Sequence, residues 1–298
     1  MKSRSLSGSA YIDFPVDQTA IYPDYRRNTV ELGKIQATID SVRNDKDVSI
    51  TSVWLKGFAS PESPYKHNTE LAIGRTAALK KHIGQLYHFA DSIIRTDYEP
   101  EDWAGLRRQV EQSNINHRGE ILALIDSDME PDAKEAKIKR TYPEEYRFML
   151  QHFYPALRHT DYRIDYAIRT FSEVEEIKRI MAEQPQKLSQ NEFYLVAGKY
   201  EPGTDEFTDV FETAVRMFPN DEIANLNAAN AAIRRDDFET AHRYLDKAGD
   251  SAEAVYARGA LAIRKKDYNT ARRYLSKAKE MGFEKAGRTL DELNERLQ

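Results

Sequence analysis

The chain has 298 residues, a formal charge of −5, no cysteine, and apolar and charged fractions of 40% and 31%. That length allows about two domains, each able to bury its own core. The charge offers no overall attraction to nucleic acid or anionic membrane, the missing thiols exclude disulfides and zinc–thiolate sites, and no stretch approaches the roughly 20 apolar residues of a spanning helix.

The first residues have a basic flavour with no apolar run behind them, so they are not a secretory signal, and 1–10 is expected as a flexible tail. A strand is expected over 11–16, with Ile12, Phe14 and Val16 on one face. Pro23 and Asp24 open a helix whose stripe is Leu32, Ile35, Ile39 and Val42. A second strand, bulky on both faces as a covered sheet requires, fits 48–57. A helix over 68–86 follows, with Leu71, Leu79, Ile83 and Leu86 as its buried stripe, and a third strand fits 92–98. The last strand, 162–168, alternates Tyr162, Ile164, Tyr166 and Ile168 against Arg163, Asp165 and Ala167. Helices over one face of this sheet would make an α+β sandwich.

Between the third and last strands, about 99–158, lies an all-helical insertion. Pro100, Glu101 and Asp102 form a good first turn ahead of Trp103, Leu106 and Val110. Further apolar helices fit 121–125 and 146–154. The aromatic residues Trp103, Tyr146, Phe148, Phe153 and Tyr154 read as core before they read as a partner surface. The acidic run over 126–132 begins like a calcium loop, but Pro131 stands where glycine is needed and Lys137 where the bidentate glutamate belongs. It reads as a turn between helices. After the last strand, Ser172 and Glu175 have capping-box spacing and start a linker helix over 172–187.

Residues 188–298 repeat. Ala241, Leu245 and Ala248 recur 30 residues on as Ala271, Leu275 and Ala278, each set preceded by a helical stretch, 222–234 and 252–264. Phe207, Phe211 and Ala214, closed by Pro219, form a weaker copy 34 residues upstream. Small, large, small at offsets 0, 4 and 7 lie on one helix face, where alanine lets a neighbour approach. This pattern resembles the second helix of a tetratricopeptide repeat, and Gly259 sits where the first helix needs a small residue. The departures are Ala229 in the glycine position and a unit four residues short. A plain helical bundle is the alternative. Residues 284–297, with Leu290, Leu293 and Leu297, read as a capping helix. Arg234, Arg235, Arg264, Lys265 and Lys266 form either a basic stripe for acidic peptide ends or solvated turns.

One stripe contains a charge. Arg75 lies on the buried face of the second helix, and Asn68, seven residues earlier, shares that face. An arginine there must be paired or ligand-bound. The Pro-flanked loop ahead of it offers Ser60 and Glu62. Two readings follow: a polar ligand pocket, or an Arg75–Glu62 ion pair that pins the loop.

Gly57, Ser60, Asn68, Leu71, Arg75 and Ala77 together resemble the signature of OmpA-like domains, Gly-His-Thr-Asp followed by Asn-x-x-Leu-Ser-x-x-Arg-Ala. The strand with Arg163 is similar to the family's terminal strand. The resemblance covers 11–86 and the last strand. It implies an α+β OmpA-like βαβαβ-type sandwich with a helical insertion (11–171), followed by an all-α tetratricopeptide-repeat domain, an arrangement similar to Bacteroidetes envelope proteins. It also implies that Arg75 takes a carboxylate of the diaminopimelate in the peptidoglycan stem peptide, with Asn68 shaping the pocket and Leu71 and Arg163 in support. Ser60 replaces the family aspartate, so Glu62 would have to hold the ligand's amine.

The seven histidines are scattered, and His67, beside Asn68, is given no role. Walker, dinucleotide-binding and hydrolase signatures are absent, so no cofactor or metal is expected and the function reads as non-enzymatic. The expectation is a protein on the periplasmic side of the outer membrane, its export signal not present in this chain, binding peptidoglycan and an unidentified protein partner. The alternative is a protein–protein interaction scaffold whose pocket no longer binds the wall. An enzyme using Glu62 as acid or base lacks a second suitably placed group.

Overall fold

The structure, a computed structural model, describes residues 1–15 and 18–296. Val16 and Leu297, expected on a strand face and on the last helical stripe, lie outside the described residues. The chain divides into two compact units, Met1–Arg169 and Thr170–Gln298. Among the described residues, no helix is long and apolar enough to cross a membrane.

Unit 1 holds a four-stranded sheet of order β1-β4-β2-β3. Its strands are β1 (Lys2–Ala10), β2 (Val48–Phe58), β3 (Ile94–Glu99) and β4 (Thr160–Ile168). β4 runs antiparallel to both β1 and β2, and β2 runs parallel to β3. Two helices, α1 (Asn28–Arg43) and α2 (Tyr65–Tyr87), cover one face. Leu32, Ile35, Ile39, Leu79 and Ile83 pack there against Val53, Leu55, Ile94 and Ile164, all buried. The α1 stripe and the alternation of β4 are as the sequence predicts.

Three expectations are corrected. The first ten residues are not a tail: β1 occupies them, pairing with β4 from Lys2↔Ile168 to Ala10↔Thr160. Leu6 and Ala10 pack on the core side, and a Cβ on Gly8 would stand 2.5 Å from the Tyr162 hydroxyl, so that ring covers the strand there. The described part of 11–16 is not a strand but an irregular segment after β1, with Ile12 buried and Phe14 packed against the core. On α2, Leu86 is 47% exposed and Leu71 only half-buried; Ala72, Thr76 and Tyr87 take the inner positions instead.

The insertion folds around its own core with α3 (Trp103–Glu111), α4 (Arg118–Ile125), α5 (Pro131–Thr141), α6 (Pro143–His152) and α7 (Tyr154–Leu157). Asp102 caps α3 by accepting from Gly105 N at 2.8 Å, and the acidic run is the turn between α4 and α5, with Pro131 opening the latter. Tyr146, Phe153 and Tyr154 are buried, whereas Phe148 is 43% exposed. His117 Nδ1 lies 2.8 Å from Glu145 Oε1. That hydrogen bond holds the imidazole pKa above its ordinary 6.5 and the Glu145 carboxyl below its usual range. A raised histidine pKa stabilises the fold below the unfolded value and loses that contribution as pH rises through the folded one. The urea midpoint is therefore expected to fall between about pH 6 and about pH 8, and to fall less in His117→Asn.

Unit 2 is all helical, with α8 (Val174–Glu183), α9 (Gln190–Ala197), α10 (Asp205–Met217), α11 (Glu222–Arg234), α12 (Phe238–Leu245), α13 (Ala252–Arg264), α14 (Tyr268–Glu280) and α15 (Glu284–Arg296). The 30-residue period is built into the turns. Asp237 and Asp267 each accept from a threonine N–H three residues on, and the residues before them, Asp236 and Lys266, have φ of 58° and 62°. Ala241, Leu245, Ala271, Leu275 and Ala278 are all buried. A Cβ on Gly259 would meet Leu275 at 3.1 Å, which is why α13 needs a minimal residue there.

The linker helix is corrected to an integral helix of unit 2, α8, with Ile177 and Ile180 buried. It begins at Val174 with no side-chain cap; the capping box forms instead at Ser189 and Glu192, opening α9. Of the two readings of the basic residues, the three arginines suit the solvated turns. Arg235 pairs with Glu212, Arg264 with Asp236, and Arg234 donates to Thr208, so these arginines bind their own unit. Ser251 caps α13 by accepting from Ala254 N at 3.1 Å. Ser251→Ala should lower unfolding stability by about 1 kcal/mol, read from urea denaturation.

Candidate functional site

At the C-terminal end of β2 the chain leaves the sheet through the loop that carries Ser60 and Glu62. The loop is tied down from its backbone outward. Phe58 N donates to His159 O at 2.8 Å, Ala59 N to Glu99 O at 3.2 Å, and Asp102 N to Ala59 O at 3.0 Å. Asn68, 3% exposed, completes the hold, its Nδ2 donating to Ser63 O at 2.6 Å and to Glu101 Oε1 at 2.9 Å. Burial raises the Glu101 pKa despite these contacts from Asn68 and Trp103. α2 has no side-chain cap of its own, and Asp132 on α5 accepts from Tyr65 N at 2.8 Å. The insertion therefore holds the start of the helix that presents Asn68 and Arg75.

The facing wall is the segment after β1. Buried Asn28 donates to Asp13 O and Tyr22 O and accepts from Asp13 N, which bends the segment over α1. Glu31, also buried, accepts from Tyr11 N at 3.0 Å and from Lys34 Nζ at 2.7 Å. Burial works to raise the Glu31 pKa, but the Lys34 and Tyr11 bonds and the charges of Lys34 and Arg27 outweigh it and hold the carboxyl low.

Between these walls lies a cavity of about 620 Å³. Ser60, Glu62, Asn68, Leu71 and Arg75 all line it, together with Asp13, Arg26, Arg27, His67 and Arg158. Residues 68, 71 and 75 all border this space, although the Asn68 amide is turned to Ser63 and Glu101. Arg75 stacks over Phe14, 4.9 Å from the ring centroid, and its Nε reaches Gln18 O at 3.4 Å.

Two expectations fail here. Glu62 does not pair with Arg75; its Oε1 accepts from Arg158 Nη2 at 2.5 Å. Arg158 Nε also donates to Ser60 Oγ at 2.9 Å, so one guanidinium holds both loop residues. Arg163 does not support the site. It pairs with Asp165 at 3.0 Å and lies over Trp54, outside the cavity lining.

Arg158 is the residue that sequence reasoning missed. It stands at the end of the insertion, 98 positions from Ser60, and no local motif marks it. Arg26 and Arg27 were missed as well, carried into the lining by a turn in which Arg26 has φ of 51°. Among the described residues no cluster of histidine, aspartate and glutamate suits a metal ion. The lining is rich in guanidinium groups, which suits an anionic ligand, above all a carboxylate that arginine can grip with two parallel bonds.

No family model matches the chain, and no curated protein is significantly similar to it.

Proposed function

We propose that unit 1 is a non-catalytic carboxylate-binding module of the OmpA-like kind. In this reading it holds the diaminopimelate end of a peptidoglycan stem peptide on the periplasmic side of the outer membrane. Arg75 takes the ligand's carboxylate, while Asn68 fixes the loop that shapes the pocket. The repeats of unit 2, read as tetratricopeptide repeats, recruit a protein partner. The observation that carries the reading is the convergence of Ser60, Glu62, Asn68, Leu71 and Arg75 on one cavity large enough for a dipeptide-sized ligand. The element order, β-α-β-α-β, helical insertion, β, also suits the resemblance.

The pairing of Glu62 with Arg158 favours a second reading, an interaction scaffold whose pocket has closed on itself. Cosedimentation with diaminopimelate-type peptidoglycan decides between them. The wall-binding reading expects the protein in the pellet, released by soluble stem peptide. Protein that stays in the supernatant would leave the scaffold.

A further inference from the structure

Among the described residues, the lining carboxylates of the cavity are already matched to cations. Asp13 faces Arg26 at 3.5 Å, Glu31 holds Lys34 at 2.7 Å and Arg27 at 3.5 Å, and Glu62 holds Arg158 at 2.5 Å. The second oxygen of Glu62, Oε2, is shut off from solvent and has no hydrogen-bond partner, so it is not offered to anything entering the cavity. Ser60 is 2% exposed, and its Oγ accepts from Arg158. The loop positions that would receive a ligand's ammonium are thus filled by a cation of the protein itself.

Arg158 remains able to bind. A guanidinium carries five N–H donors, and the contacts to Ser60 and Glu62 use two. The side chain is 43% exposed, so the remaining donors can reach a ligand. A carboxylate entering this cavity meets Arg75 and Arg158 together. An ammonium attached beside that carboxylate would meet like charge, or would have to break the Arg158–Glu62 pair.

We infer that Arg158 is a specificity-determining residue that makes the cavity prefer a carboxylate whose neighbouring amino group is acylated over one whose amine is free. In the wall, that is the diaminopimelate of a cross-linked stem peptide, whose side-chain amine is an amide, rather than the free zwitterion. The inference rests on the wall-binding reading and sharpens it: the module senses cross-linked wall.

The test is calorimetric titration of the full chain with two soluble stem tripeptides whose C-terminal carboxyl is amidated, one with the diaminopimelate side-chain amine free and one with it acetylated. The wild type should bind the acetylated peptide roughly two- to fivefold more tightly, the size of effect expected when one part-exposed ion pair must be broken. In Arg158→Ala the preference should vanish or reverse, because Glu62 is released to take the ammonium. Arg158→Gln, which keeps a donor for Ser60 Oγ, should behave likewise and guards against a loop that fails to fold. A purely structural role for Arg158 would weaken both peptides equally and leave their ratio unchanged, which overturns the inference. A wild-type preference for the free amine overturns it alone, with the wall reading intact. Binding of neither peptide overturns both.

Discussion

Arg75→Ala is expected to lower affinity for the stem peptide by about 10- to 150-fold, the loss of one charge-assisted carboxylate contact of about 1.5–3 kcal/mol. The fold should survive the change. Arg75 is half-buried, and the loop and the β1–α1 segment are anchored by Asn68, Asn28 and Glu31. Titration of wild type and variant, with circular dichroism as the control for folding, reads the effect. Arg75→Lys is a stricter comparison, because it keeps the charge and loses the planar fork; it should recover only part of the affinity. An unchanged affinity in Arg75→Ala would mean that the ligand sits elsewhere. Single contacts of this size give weak binding, so attachment to the wall would gain from its many repeated sites.

Gly57→Ala is expected to destabilise unit 1 by about 3 kcal/mol or more, lowering its melting temperature by roughly 6–12 °C. A Cβ at this point of β2 would stand 2.0 Å from Thr76 Oγ1 and 3.2 Å from Ala72 O. Thr76 cannot easily yield, since it is 2% exposed and its hydroxyl donates to Ala72 O at 2.7 Å. The sheet and α2 meet there backbone to side chain, with no room for a methyl. Thr76→Ala in the same chain removes the closest atom and should restore about half of the loss; the Ala72 carbonyl sets the remainder. Equal melting temperatures for wild type and Gly57→Ala would contradict this packing. The experiment also bears on the site, because Gly57 and Thr76 flank the loop and the helix that form the cavity.

How much of this was legible in the sequence depended on whether a feature was periodic and local. The α1 stripe, the alternation of β4 and the 30-residue spacing of Ala241 and Ala271 are periodic, and each lies where expected. Asn68, Leu71 and Arg75 could be placed together because helix geometry alone fixes their common face. β1 could not be read. Its apolar content is slight, and the ring that covers Gly8 belongs to Tyr162, far along the chain. The alternation of Ile12 and Phe14 imitated a strand because that segment lies across the core with alternate residues inward. Two segments have capping-box spacing, Ser172 with Glu175 and Ser189 with Glu192, and only the second forms the box. The second forms because the Glu192 carboxylate is buried and also receives Phe171 N at 2.8 Å, a contact that sequence spacing cannot supply. Arg158 is the extreme case: its meaning comes wholly from a contact across the fold.

The place of β4 between β1 and β2 carries a consequence for how the domain is made. The strand that joins both sides of the sheet is the last of the four to leave the ribosome, so β1 must wait through some 150 residues for its neighbour in the sheet, a separation that slows folding through loop-closure entropy. The insertion spans part of that separation as a compact body. It has its own core, and both its ends are held to the end of β2, through Glu99 O on one side and His159 O on the other. A compact body pinned at both ends in this way sets β4 beside β2. Arg158 lies two residues before β4, so the contact that ties it to Ser60 and Glu62 depends on β4 taking its place in the sheet.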